Sequence, residues 1–245
     1  MLRSPAQPVP WVLKLKDKVM KFSKRMKEAH KAIGTIESPL PLQEAVNRLA
    51  KAPKVKFDET VELHFNLNLD LKASDQGVRG TVVLPHGIGK KVRVAAFCKG
   101  DAVAKAQAAG ADYVGDNDLI EKVMGGFMDF DVVVASPDMM RDLSKLGKVL
   151  GPRGLMPTPK AGTVTADVER AIKEVKAGRV EFKSDKQGGI HLGIGKRSFA
   201  ESKLVENAQY VIEAVNHAKP SAVKGNLIKS LALATTMGPG VKVAL

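Results

Sequence analysis

A change of rhythm inside the chain limits what it can fold into more than any other feature. Between residues 91 and 177 three apolar runs, KVRVAAF, ADYVG and DVVVAS, each lead into a helical stretch, at Ala102 to Ala109, Asp118 to Phe127 and Pro137 to Leu146. A further helix is expected over Ala166 to Ala177. Strands that are apolar along their length are covered on both faces, and strands alternating with helices build a parallel sheet between two helical layers. This block is expected to be a Rossmann-like α/β unit.

On either side of it the period is two. TVELHFNLNLDL alternates Val61, Leu63, Phe65, Leu67, Leu69 and Leu71 with polar residues, which describes a strand with one wet face. VRGTVVLP, residues 78 to 85, is expected to lie beside it. After Gly178 come RVEFK, the turn SDKQGG and IHLGIGK, antiparallel in style. A capping box from Ser198 to Glu201 is expected to open a helix with Leu204, Ala208, Val211, Ile212 and Val215 on one stripe, ended by Lys219-Pro220. Strands over Leu227 to Ala234 and Val241 to Leu245 flank TTMGPG.

Upstream, Leu42, Ala45, Val46, Leu49 and Ala50 recur at helical spacing, and a basic helix is expected over Lys18 to Ile33. The proline-bearing residues 1–19 read as a disordered extension, with Met20 as an alternative initiator. The economical fold is α/β and α+β in two domains: a discontinuous α+β domain, 1–86 plus 179–245, and an inserted Rossmann-like domain, 87–178. His86, Gly87, Gly178 and Arg179 mark the two crossings and are the expected hinge.

Charge follows the same division. Residues 1–86 hold fifteen basic and nine acidic side chains, 179–245 hold ten and five, and 87–178 hold fourteen and twelve, so the split domain carries +11 of a net +13. A polyanion is therefore the leading partner class, with an anionic membrane surface second. Aromatic residues make up only 4% of the chain, which argues against base-stacking platforms and favours a structured RNA read by shape and 2′-hydroxyls. The single cysteine, Cys98, excludes an intrachain disulfide. No apolar run is long enough for a membrane span, and residues 1–30 lack a secretory signal core.

The stretch GPRGLMPTPKAGT, residues 151 to 163, looks like a phosphate cradle, with Arg153 and Lys160 to neutralise an anion. It fails the test, because a P-loop needs G-x-x-x-x-G-K followed by Ser or Thr. Gly195-Lys196 is followed by Arg197, with Ile190 where the first glycine belongs, and Lys99-Gly100-Asp101 stands where a dinucleotide fingerprint would open. His30, His64, His86, His191 and His217 are scattered, so neither metal nor cofactor is expected. Asp129 with Asp131 and Asp116 with Asp118 fall at element starts, where acids commonly cap. An enzyme using the insert for a nucleotide or sugar phosphate remains the competing class.

The last strands offer a surface suited to RNA. In IKSLALATTM, Ser230, Ala232, Ala234 and Thr236 share one face while Leu231 and Leu233 share the other, and Gly238 and Pro239 then turn the chain, leaving Met237 at a tip. A plain hairpin beneath a helix explains the same pattern equally well.

The run KLGKVLGPRGLMPTPKAGTV resembles the signature of the large-subunit ribosomal stalk protein family, ribosomal protein one of the large subunit, of bacterial or organellar type. KFDETVELHFNL, SDQGVRGTVVLPHGIGK, AGADYVG, MDFDVVVASPD, EVKAGR and TTMGP follow the family in order, from about residue 20 to the end. The resemblance implies a structural constituent of the large ribosomal subunit, without enzymatic activity, that binds rRNA at the mobile stalk near the tRNA exit site. It further implies help in releasing deacylated tRNA and repression of translation from its own operon mRNA. Large-subunit rRNA, exit-site tRNA and that mRNA are thus the implied partners, with no membrane, for a monomer within a bacterial cytoplasmic ribosome or, as the alternative, an organellar matrix. Carried over by position, the RNA-contact motifs fall on Lys56, Phe57, Glu59 and Thr60, on Asp185, Lys186 and His191, and on Ser230, Thr236 and Met237, with Gly238 and Pro239 shaping the turn. Residues 1–19 fit nothing in the family.

Overall fold

The computed structural model describes residues 22–34, 38–69, 77–221, 223 and 225–244. The extension 1–19 and the end of the first long strand at Leu71 lie outside the described residues. In chain order the elements are α1 (Lys24–Ile33), α2 (Leu42–Ala50), β1 (Thr60–Leu67), β2 (Arg79–Val83), β3 (Val94–Phe97), α3 (Asp101–Ala108), β4 (Tyr113–Gly115), α4 (Asn117–Met124), β5 (Val132–Ala135), α5 (Met140–Leu143), α6 (Gly147–Leu150), α7 (Val168–Ala177), β6 (Arg179–Lys183), β7 (Gly189–Lys196), α8 (Glu201–His217), β8 (Ile228–Thr235) and β9 (Val241–Val243). α1 starts later than the basic run suggests, because the Ser23 hydroxyl accepts from the Met26 amide at 3.3 Å and fixes the N-terminus there.

The period-two segments form an antiparallel sheet in the order β7-β1-β8-β9. Leu63 stands opposite Leu192 and Leu233, and Phe65 opposite Ile190 and Leu231. All six are buried and share one core with Ala45, Val46 and Leu49 of α2 and Leu204, Ala208, Val211 and Val215 of α8. Burying each such leucine stabilises by about 1.5–3 kcal/mol, and truncation to alanine at Leu63 would cost about 2–5 kcal/mol.

Three local expectations fail here, each for a nonlocal reason. β2 is not the neighbour of β1, since β7 and β8 occupy both edges of β1; it pairs with β6 in a separate two-stranded ladder, from Arg79↔Lys183 to Val83↔Arg179. RVEFK and IHLGIGK consequently belong to different sheets, and the turn between them is closed by Asp185, whose carboxylate accepts from the amides of Gln187 at 2.8 Å and Gly189 at 2.6 Å. The capping box does not form either: the Ser198 hydroxyl donates to Asp58 at 2.7 Å, and Ala200 takes the cap position of α8.

The middle of the chain forms a parallel sheet in the order β4-β3-β5. Ala95 and Phe97 face one core with Leu119, Ile120 and Val123 of α4 and Met139, Leu143, Leu146 and Leu150. Val94, Ala96 and Cys98 face another with Ala106 of α3 and Val168, Ala171, Ile172 and Val175 of α7. Both faces are thus covered, as a Rossmann-like layer requires. Asp167 caps α7 by accepting from the Arg170 amide at 3.3 Å, whereas Pro137 to Leu146 is a broken succession of 3₁₀ and α turns rather than one helix. The fold is therefore a mixed α/β and α+β architecture of two domains.

Gly87 and Gly178, at the two expected crossings, touch. Gly87 and Gly178 both have positive φ, 64° and 112°, and a Cβ on Gly178 would stand 2.5 Å from the Gly87 Cα. Only glycine fits such an approach.

Candidate nucleic-acid interface

The strand alternation that buries Leu63 and Phe65 turns Thr60, Glu62, His64 and Asn66 to the opposite face of β1. Glu62 stands opposite Gly193 and Ala234, His64 opposite His191 and Ala232, and Asn66 opposite Gly189 and Ser230. These positions are exposed or half-buried. The face runs about 20 Å from Thr60 to Asn66 and is floored by glycine and alanine, so a bulky ligand can approach the backbone closely.

At one end of it the segment Lys56 to Thr60 lies beside the turn Thr235 to Pro239. The Thr60 amide donates to the Thr236 hydroxyl at 3.0 Å, and the Thr236 amide donates to the Thr60 carbonyl at 3.0 Å. The Thr236 hydroxyl also donates to that carbonyl at 3.3 Å, so its proton and one lone pair are engaged, leaving it one acceptor site. Phe57 is 54% and Met237 45% exposed, both high for large apolar side chains. Gly238 is obligatory here, because a Cβ would collide with the Thr235 hydroxyl. Pro239 is buried and shapes the turn from below.

Glu59 departs from the expectation of a surface ligand. It is 1% exposed and pairs with Arg197 at 2.6 Å, while its other oxygen accepts from the Met237 amide at 3.1 Å and the Thr235 hydroxyl at 3.3 Å. Its hydrogen-bonding capacity is spent inside the protein.

The second group sits toward the other end. His191 and His64 bring their Nδ1 atoms within 2.9 Å, one donating and one accepting, and Asp185 stands 3.7 Å from the far nitrogen of His191. Partial burial and then the neighbouring His191 push the His64 pKa below its ordinary value, against the opposing pull of Glu62. The amides of Gly189 and Gln187 hold the Asp185 carboxyl below the usual carboxylate range. Lys56, Lys186 and Lys229 are exposed around the face. Glu62, His64 and Asn66 were legible as its members from the same alternation that located the core. Arg25, which donates to the Met237 carbonyl at 2.6 Å, and Arg197 had no local signal.

The loop 151–163 is elsewhere. It backs onto the β2–β6 ladder: Arg79 donates to the Thr158 hydroxyl at 2.9 Å, the Arg179 guanidinium fills the space beside Gly162, and Arg179 itself pairs with Glu174 at 2.8 Å. The cavity between loop and ladder is about 110 Å³, too small for a nucleotide. Arg153 is exposed, and the Lys160 side chain lies outside the described part of the molecule. The paired acids stand at element starts as expected, Asp131 directly before β5 and Asp116 with Asp118 at the start of α4. Asp129 and Asp131 pair with Arg93 at 3.0 and 3.3 Å, and Lys90 joins Asp131 at 2.8 Å, which with the Arg93 amide lowers the Asp131 pKa to about 2. Asp116 holds the N-cap position of α4 without a side-chain bond, and Asp118 lies in its first turn. Burial and then Asp116 push the Cys98 thiol up.

Near the expected crossings, the turn that follows β2 is pinned. Asn207, fully buried on α8, accepts from the His86 amide at 3.2 Å and donates to the carbonyls of Gly87 at 3.0 Å and Ile194 at 2.7 Å. His86 also meets Glu206 at 2.5 Å. Beside them lies an open groove of about 970 Å³ lined by Lys90, Lys91, Arg93 and Lys176. Among the described residues no group of three or more His, Cys, Asp or Glu is arranged to hold a metal ion, and no helix is long and apolar enough to cross a membrane.

The chain is 54% identical to the large ribosomal subunit protein uL1 of Protochlamydia amoebophila over 223 residues, covering 91% of this chain and 94% of that protein. It is 55% identical to the protein of the same name from Solidesulfovibrio magneticus, with the same coverage, and 53% identical to that from Thermosipho melanesiensis, covering 91% and 96%. Residues 49–239 match the family described as "Ribosomal protein L1p/L10e family". That span runs from the end of α2 through β8, and the chain belongs to the Ribosomal protein L1p/L10e family.

Proposed function

We propose that the chain is a structural, non-enzymatic constituent of the large ribosomal subunit that binds large-subunit rRNA through the bare face of the β7-β1-β8-β9 sheet and the adjoining turn. The observation that carries this is the face itself: glycine and alanine floor it, Thr60 and Thr236 border it, and exposed Phe57 and Met237 stand at its end. Small residues admit a ribose-phosphate backbone closely, which suits recognition by shape. Thr236, with only an acceptor site left, takes a hydrogen bond from a ribose 2′-hydroxyl rather than meeting a phosphate. Ser230 offers a second hydroxyl, Met237 an apolar contact, and Lys56 and Lys186 neutralise phosphates. Glu59 serves from beneath the surface.

The finer role follows the family resemblance: placement at the mobile stalk beside the tRNA exit site of a bacterial cytoplasmic ribosome, help in releasing deacylated tRNA, and repression through a similar structure in its own mRNA. We divide the chain at His86/Gly87 and Gly178/Arg179. Val82, Leu84 and Phe182 share the core of the antiparallel sheet while the two middle-domain cores lie apart from it, which supports that division. Because Asn207 grips His86 and Gly87, the pivot of the first crossing lies just beyond them, toward Ile88 to Lys91.

A footprint of the full chain on deproteinised large-subunit rRNA tests the reading. Protection confined to one junction, weakened by Thr236→Val, is expected; diffuse protection indifferent to that substitution would overturn it.

A further inference from the structure

Resting on that reading, we infer that Glu59 and Arg197 are positioning residues: a buried ion pair whose task is to hold the turn Thr235 to Gly238 in its RNA-ready shape before RNA arrives. The pair spans three segments far apart in sequence. Arg197 donates from one nitrogen to Glu59 at 2.6 Å and to the Pro53 carbonyl at 3.3 Å, and from the other to the carbonyls of Ala50, at 3.0 Å, and Ala52. Those carbonyls close the C-terminal end of α2, where a cation is favoured. The Arg197 amide also donates to the Glu59 carbonyl at 2.8 Å, so the two residues are fixed to one another by backbone as well as side chain.

The carboxylate divides its labour. One oxygen holds Arg197; the other holds the Met237 amide and the Thr235 hydroxyl. Arg25 then takes the Met237 carbonyl at 2.6 Å, and Thr60 takes both backbone and side chain of Thr236. Both polar groups of the Met237 peptide are thus satisfied internally, which commits the exposed side chain to point outward. Preorganisation of this kind lowers the ordering cost of binding. Structural stability alone does not call for it, because a buried ion pair can often be replaced by apolar side chains of similar volume without loss. What apolar side chains cannot replace is the acceptor for the Met237 amide.

That difference supplies the test, on the full chain with the large-subunit rRNA fragment that the wild type protects. Glu59→Gln keeps one oxygen for the Met237 amide with its NH2 turned toward Arg197, so the melting temperature is expected to fall while the affinity stays within about threefold of wild type. Glu59→Leu removes it and is expected to weaken binding by at least about tenfold while lowering the melting temperature. In the double variant Glu59→Leu with Arg197→Met the melting temperature recovers but the affinity does not. Hydrogen exchange at the Met237 amide, read without RNA, should be slow in wild type and Glu59→Gln and fast in both leucine variants. A double variant with wild-type melting and wild-type affinity, or a Met237 amide that exchanges freely in wild type, would overturn the inference. If the wild type bound no rRNA, the functional reading would fall, and the exchange pattern would still decide whether Glu59 positions the turn.

Discussion

The two sheets of this molecule treat their faces differently. The parallel sheet is clothed on both sides, with Ala95 and Phe97 turned to one core and Val94, Ala96 and Cys98 to the other. The antiparallel sheet is clothed on one side by α2 and α8 and offers glycine, alanine, hydroxyls and imidazoles on the other. A covered sheet can change only by repacking, whereas a bare face of small side chains is free to be a binding surface. The uneven charge partition points the same way, since most of the excess positive charge travels with the bare sheet.

The strongest way to break this contrast is to separate its halves. A chain joining residues 1–86 to 179–245 is expected to keep rRNA affinity within about tenfold of the full protein, and residues 87–178 alone to lose at least about a thousandfold, reaching the non-specific level. Filter binding at fixed salt decides it, and affinity residing in the middle segment would invert the comparison. A second experiment places the same bulk on each sheet. Ala234→Leu, on the bare face, should weaken RNA binding by about a hundredfold with melting nearly unchanged, while Ala96→Leu, enclosed on all sides, should destabilise by about 1–3 kcal/mol and leave the affinity of the folded fraction intact.

A smaller effect concerns charge. Lys56→Ala and Lys186→Ala should each lower the slope of log affinity against log salt by about one, with Arg153→Ala on the distant loop leaving that slope alone. The smallest effect concerns acid. His64 binds its proton less readily folded than unfolded, so its contribution is present above the ordinary 6.5 and is lost as pH falls through that value toward its lowered folded pKa. Asp131 contributes above the ordinary 3.8 and loses that contribution as pH falls toward about 2. Thermal unfolding across pH 8 to 2.5 should show two successive declines. His64→Asn should flatten the upper one and Asp131→Asn part of the lower, to which Asp185 also contributes; a single decline indifferent to both substitutions would refute the assignment.

What could be read from sequence was whatever is periodic. Leu63, Phe65, Leu231 and Leu233 announced the core, and the same count placed Ser230, Ala232 and Ala234 on the bare face. The partner of β2 was not legible, because it lies about a hundred residues away and nothing near Thr81 specifies Glu181. The Ser198 to Glu201 spacing misled for a related reason: the Ser198 hydroxyl is taken by Asp58, far away in sequence, and Ala200 stands at the cap position instead. Glu59 looked like a surface carboxylate because only the fold brings Arg197 to it.

The position of β1 also dictates an order of events during synthesis. Its two neighbours, β7 and β8, are made more than a hundred residues after it, whereas every strand of the parallel sheet and the helices that cover it are encoded within one unbroken stretch. As the chain emerges from amino to carboxyl end, the middle domain holds all its own partners first and can fold at once. The early β1 must wait for both of its neighbouring strands until the last segment is released. The proposed binding face is therefore the final part of the molecule to come into being, and a half-made chain does not yet present it.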